Sequence, residues 1–169
     1  MDEANQPSDL FPELDAPEAS EEFVSPDDVS ITLYNLLDLH NLRAHNALRL
    51  LSREELEGLC GIGNKLADLL QRHCAYMSIT LRDGSFQARA TLLYKHVYNV
   101  PVSVVLSIVF SKKECNKNRY RDIRDAVLQT GASNVGELLE VLARAPQIAG
   151  ITEPERARLR NWLCTSVFW

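Results

Sequence analysis

Leu56-Glu57-Gly58-Leu59-Cys60-Gly61-Ile62-Gly63-Asn64-Lys65-Leu66-Ala67-Asp68-Leu69-Leu70 is the stretch whose reading decides the fold. Apolar residues sit at helical spacing on both sides of a glycine pair, so the segment reads as two short helices joined by a very tight reversal. Just upstream, Ser52-Arg53-Glu54-Glu55 has the form of a capping box, in which the hydroxyl accepts an orphan N–H and the glutamate reaches back. It opens a short helix expected to end near Leu59. Beyond the glycines, Asn64 to His73 continues as helix through Leu66, Ala67, Leu69 and Leu70. Glycine allows the chain to turn in little space and brings bare amides to the surface. The second helix directs its positive N-terminus to the same point, which makes an anion site suited to a phosphate, with Lys65 adding a charge-assisted contact.

The same residues resemble the helix-hairpin-helix family, whose pattern Leu-x-x-Leu-x-Gly-Ile-Gly-x-x-x-Ala-x-x-Leu is matched at every fixed position from Leu56 to Leu70. The resemblance implies sequence-independent binding of duplex DNA through its sugar-phosphate backbone, with Gly61, Ile62, Gly63, Asn64 and Lys65 as the contact residues. Such binding falls steeply with salt. The plainer reading of a Gly-x-Gly hairpin is an interhelical turn or a protein contact.

A second, degenerate copy lies near the C-terminus. Ile148-Ala149-Gly150-Ile151-Thr152 is similar to Leu59-Cys60-Gly61-Ile62-Gly63. More widely, Ile123 to Leu163 resembles the C-terminal domain of the bacterial RNA polymerase alpha subunit through Gly131, Val135-Gly136-Glu137-Leu138, Ile148, Ile151, Arg156, Leu159 and Trp162-Leu163. Here Thr152 replaces the second glycine. Thr152-Glu153-Pro154-Glu155 forms another capping box, with proline in the first turn. The carboxylates of Glu153 and Glu155 compete with a phosphate for the helix end, so this copy is expected to be structural or a protein-docking surface.

Charge is distributed unevenly. The formal net charge is −5, from 18 Lys and Arg against 23 Asp and Glu. Residues 1–30 hold ten of the acids and no base, so the remainder carries 13 acids against all 18 bases, a net of +5. With four prolines and scattered apolar residues, residues 1–29 are expected to form a disordered acidic tail. Such a tail solubilises, screens non-specific contacts or competes for a basic face. Within it, Gln6-Pro7-Ser8-Asp9-Leu10-Phe11 loosely resembles the peptide that docks on bacterial sliding clamps. The body has a basic stretch of its own: Lys112, Lys113, Lys117, Arg119, Arg121 and Arg124 against Glu114 and Asp122, with Tyr120 interleaved. It could follow a phosphate backbone, or it could be a solvated loop and helix start.

These patterns predict a mostly α chain of two small helical units, each with a helix-hairpin-helix-like element, over 30–78 and 86–169. Helices are expected from Val29 to Leu51 with a break around His40-Asn41, and over Phe86–Tyr98, Arg119–Thr130, Val135–Arg144 and from Thr152 onward. Residues 79–85 read equally as a hairpin stub or a helical linker, and 100–110 as buried helix or strand. Tyr94 to Ile108 also threads onto a helix-turn-helix, but its groove-facing positions would be Val102, Leu106 and Val109, which cannot hydrogen-bond to base edges.

No apolar run approaches the roughly 18 residues of a membrane helix, and the acidic start is unlike a secretory signal. Cys60, Cys74, Cys115 and Cys164 contain no C-x-x-C pair and read as free thiols of a reducing, cytoplasmic setting. That setting becomes the nucleoid if the source is bacterial or a phage, with the nucleus left open. His73 beside Cys74 is a weak metal suggestion. No catalytic constellation, phosphate loop or cofactor motif is present, so a non-enzymatic protein without cofactor or small-molecule substrate is expected. Gene regulation, or a place beside transcription or replication machinery, follows from the resemblance. The competing readings are an adaptor docking a protein through the acidic tail, the apolar Val97–Phe110 surface or the C-terminal Val167-Phe168-Trp169, and an accessory subunit of a nuclease or repair enzyme.

Overall fold

The computed structural model describes residues 22–167. The acidic segment through Glu21, including its Leu10-Phe11 peptide, and Phe168-Trp169 lie outside the described residues. The chain is mostly α, with nine α-helices among the described residues: α1 Ile31–Leu39, α2 His45–Arg49, α3 Arg53–Glu57, α4 Asn64–Tyr76, α5 Phe86–Tyr94, α6 Val102–Val109, α7 Lys117–Gln129, α8 Val135–Arg144 and α9 Glu153–Ser166. Two isolated antiparallel bridges, Phe23–Ala44 and Pro101–Asn134, are the β pairing among these residues.

Local chemistry sets the helix limits. Both expected capping boxes form, at Ser52 with Glu55 and at Thr152 with Glu155. Hydroxyl or amide caps from Ser30, Ser85, Asn116 and Asn134 open α1, α5, α7 and α8. The helix expected over Phe86–Tyr98 stops at Tyr94, because Lys95 takes φ +70° and a 3-10 turn, Val97–Asn99, follows. Residues 79–85 are neither hairpin nor helix. They run as irregular chain along the first unit, where the Arg82 guanidinium donates to Leu50 O at 2.8 Å and to Glu55 at 2.6 Å. Residues 102–109 resolve to helix, and Val102, Val104, Val105 and Leu106 are at most 2% exposed. The apolar stretch offered as an adaptor surface is therefore core of this chain.

The expected tail also ends sooner than residue 29. Val24 is buried, its N–H bonds to Arg43 O at 2.7 Å, and His45 N–H bonds to Glu22 O at 2.8 Å. One apolar side chain and two backbone bonds are enough to fix Glu22–Ser30 on the body.

The two bridges expose a repeat deeper than the hairpin similarity. Val102 N–H to Ser133 O and Val135 N–H to Val100 O reproduce the bonds of Val24 and His45. Asn41 (φ 53°) and Gly131 (φ 92°) each end the helix before the bridge. Buried Leu33, Leu37, Leu70 and Cys74 stand where Ile123, Val127, Leu159 and Leu163 stand in the second copy. The copies differ by α6, which follows the second bridge, and by α3, which has no counterpart between α8 and α9. Their buried residues form one continuous cluster, stitched by Arg124 Nη1 to Leu39 O at 2.9 Å and Lys112 N–H to Gly58 O at 2.7 Å.

Candidate nucleic-acid interface

Both hairpins use the same turn. Ile62 N–H bonds to Leu59 O at 3.1 Å and Ile151 N–H bonds to Ile148 O at 3.0 Å, with Gly61 (φ 88°) and Gly150 (φ 92°) at the left-handed position. Of the first glycine pair only Gly61 is required by backbone geometry. Gly63 has φ −97° and ψ 175°, ordinary extended values, and a Cβ there would meet nothing within 4 Å. At Gly61 a Cβ would lie 3.0 Å from Lys117 Cδ and 3.1 Å from Leu36 Cδ1. Gly61→Ala is accordingly expected to cost about 1–2 kcal/mol, and Gly63→Ala less than about 1 kcal/mol. Urea midpoints of the two variants decide this, and equal losses would contradict the assignment of the turn.

The turns are alike but their helix ends are not. In the second, Glu155 receives the Thr152 N–H at 2.9 Å, and Arg119 closes over it with Nε 2.9 Å from the carboxylate and Nη2 2.9 Å from Gly150 O. The Arg119 guanidinium, with help from the Thr152 amide, holds the Glu155 carboxyl down at about 2. That helix end already holds an anion and its counter-ion. In the first, Gly63 offers no side-chain cap, and the first turn of the 13-residue α4 contains no acid. Gly61, Gly63, Asn64 and Lys65 are exposed, whereas Ile62 turns inward and is buried.

The basic stretch divides in the same way. Lys117 lays its aliphatic stem over Gly61, and Lys112 Nζ donates to Ile62 O at 3.4 Å, so both come to the first hairpin across some fifty residues of chain. Lys113 and Arg121 are exposed. Arg119 and Arg124 are committed elsewhere. Arg119 serves Glu155, and Arg124 serves Leu39 O and Asp125. Sequence spacing could not separate these roles, because the partners Glu155 and Leu39 lie 36 and 85 residues away. An open cleft of about 540 Å³ flanks the site, and Glu54, Glu57 and Asp68 line it together with Asn64, Lys112 and Lys113. Lysines and carboxylates therefore share the cleft beside the hairpin.

A buried polar chain supports the turn from below, and sequence reading missed it. His40 is fully buried, with Nδ1 2.8 Å from Ser107 Oγ and Nε2 2.9 Å from Cys60 O. Cys60 O can only accept, so Nε2 carries the proton and Nδ1 accepts from Ser107. The Tyr120 hydroxyl, 2.9 Å from Ser107 Oγ, then donates to it. Burial lowers the His40 pKa from 6.5 to about 4, so the ring is neutral. Its only sequence signal was a histidine at a helix end within an apolar pattern. Elsewhere, His73 packs edge-on against His45 with ring centroids 6.1 Å apart. Among the described residues no group of three or more His, Cys, Asp or Glu is placed to hold a metal, and no helix is long and apolar enough to cross a membrane.

No family model, curated protein or solved structure matches the chain.

Proposed function

We propose that this is a non-enzymatic protein that binds the backbone of duplex DNA through the Gly61–Lys65 hairpin, assisted by Lys112, Lys113, Lys117 and Arg121. One contrast carries the reading. The same turn occurs twice, and the copy whose helix end is filled by Glu155 and Arg119 differs from the copy left uncapped beneath Lys117 and Lys112. An uncapped helix N-terminus with ammonium groups around it is complementary to a phosphate, and nothing in it distinguishes one base from another. Gene regulation or attendance on transcription or replication machinery is the setting that best fits such a protein.

Titration of full-length protein and a form lacking residues 1–21 against a random duplex, read by mobility shift, tests the proposal. Residues 1–21 bring seven carboxylates and no base. Their removal is expected to tighten binding several-fold at low salt, with less gain as salt screens the charge. Absence of binding in both forms at low salt would remove the nucleic-acid reading and leave a protein adaptor, for which Tyr76, Leu92, Ile31 and Phe23 are the most exposed large apolar side chains among the described residues.

A further inference from the structure

The two sulfurs beneath the hairpin lie within reach of each other. Cys60, the residue before Gly61, points its Sγ to 3.5 Å from Cys115 Sγ, while Cys115 sits in the loop that carries Lys112 and Lys113 and leads to Lys117 at the start of α7. Fifty-five residues separate them in sequence. Cys60 is fully buried and its thiol lies 3.1 Å from both Phe110 O and Cys115 O, so its position is fixed. Cys115 is only partly covered, and the charges that act on it are those of Glu155, Arg119 and Arg158. A bonded pair stands at about 2.05 Å, so the two sulfurs, now 3.5 Å apart, must approach by about 1.5 Å.

We propose that Cys60 and Cys115 form a reversible disulfide that ties the hairpin to the basic loop, with a low-molecular-weight disulfide of the glutathione class as oxidant. Cys115, the accessible thiol, attacks the small disulfide as its thiolate. One small thiol leaves, and a mixed disulfide stands at Cys115. Cys60, having given up its proton, attacks the Cys115 sulfur and expels the second small thiol. Two protein thiols are oxidised, one small disulfide is reduced, and the two protein protons end on the two released thiols. Burial holds the Cys60 thiol up at about 12 and raises Cys115 as well, so the exchange is slow at neutral pH and accelerates as pH rises.

The consequence for binding rests on the function proposed above. A bond at this point fixes Gly61 relative to Lys112 and Lys117. Because a pre-ordered site loses less freedom when it engages its ligand, the oxidised protein should bind duplex more tightly, by roughly three- to tenfold.

Full-length protein carrying Cys164→Ser, which removes the exposed thiol, is incubated with oxidised glutathione at pH 8, quenched by alkylation and mapped by peptide mass. The expected product joins the Cys60 and Cys115 peptides, is two hydrogens lighter than the reduced pair, and disappears on treatment with a dithiol. Cys115→Ser should abolish it and leave Cys60 alkylated only after unfolding. Recovery of both cysteines unlinked after prolonged oxidation overturns the proposal without touching the duplex reading. A linked product whose duplex affinity equals that of the reduced protein overturns the switch. Linkage with no duplex binding in either state strikes the function proposed above and leaves the disulfide standing.

Discussion

Lys65→Glu combined with Lys117→Glu is expected to weaken binding to a random duplex by about a hundredfold at low salt, roughly tenfold for each reversal. Both side chains are exposed, and neither makes an ion pair with another described residue, so the exchanges should leave the melting temperature nearly unchanged. The two residues approach the same hairpin from different parts of the chain: Lys65 from the first turn of α4, Lys117 from the start of α7 across Gly61. Two lost phosphate contacts should also flatten the dependence of log affinity on log salt by about 2. Arg160→Glu, on the exposed surface of α9, is the control for the net-charge change of one such reversal. A double variant that binds as the Arg160 variant does would show that the hairpin is scaffolding. In the opposite direction, Asp68→Asn removes a carboxylate from the cleft beside Asn64 and is expected to tighten binding about twofold.

How much of this was legible beforehand depends on whether the decisive partner was local. Capping boxes are complete within four residues, so Ser52–Glu55 and Thr152–Glu155 could be read directly. Gly61 and Gly150 were visible because their role is set by their own φ. The fold class followed from spacing, and so did the break at His40-Asn41. The partners of Arg119 and Arg124 were not legible, because a run of positive charge does not reveal which members face Glu155 or the end of α1. The tail boundary was misplaced, since composition around Val24 resembles its acidic neighbours, whereas its burial and the backbone bonds of Val24 and Glu22 to Arg43 and His45 anchor it. The second repeat was only partly visible. Its equivalent core positions keep burial rather than identity, with Cys74 answering to Leu163; Asn41 and Gly131 share only a positive φ, and α6 interrupts the register between the copies.

The polar chain under the hairpin makes a second large effect: the fold should lose about 3 kcal/mol as pH falls from near 7 to near 4. The folded protein holds His40 neutral, with a pKa lowered by burial to about 4, while the unfolded chain protonates it near 6.5. Between those values the unfolded state binds the extra proton, so stability is complete above about pH 6.5 and declines through the window. Burial lowers His45 and His73 in the same direction, and their contributions add to the loss. Glu155 acts in a lower window. Its folded pKa of about 2 means that its contribution, present above its ordinary value near 4.5, disappears only on further acidification. Thermal midpoints measured at half-unit steps from pH 7.5 to pH 5 therefore isolate the histidines from this carboxylate. A downward slope is expected throughout the lower half of that range. The imidazole resonances should assign a strongly depressed titration to His40, and Tyr120→Phe, which removes the donor to Ser107, should destabilise by about 1 kcal/mol at pH 7.5. A flat midpoint between pH 7 and 5, or a His40 that titrates near 6.5 in the folded protein, would mean that the turn is not held from below by a neutral ring.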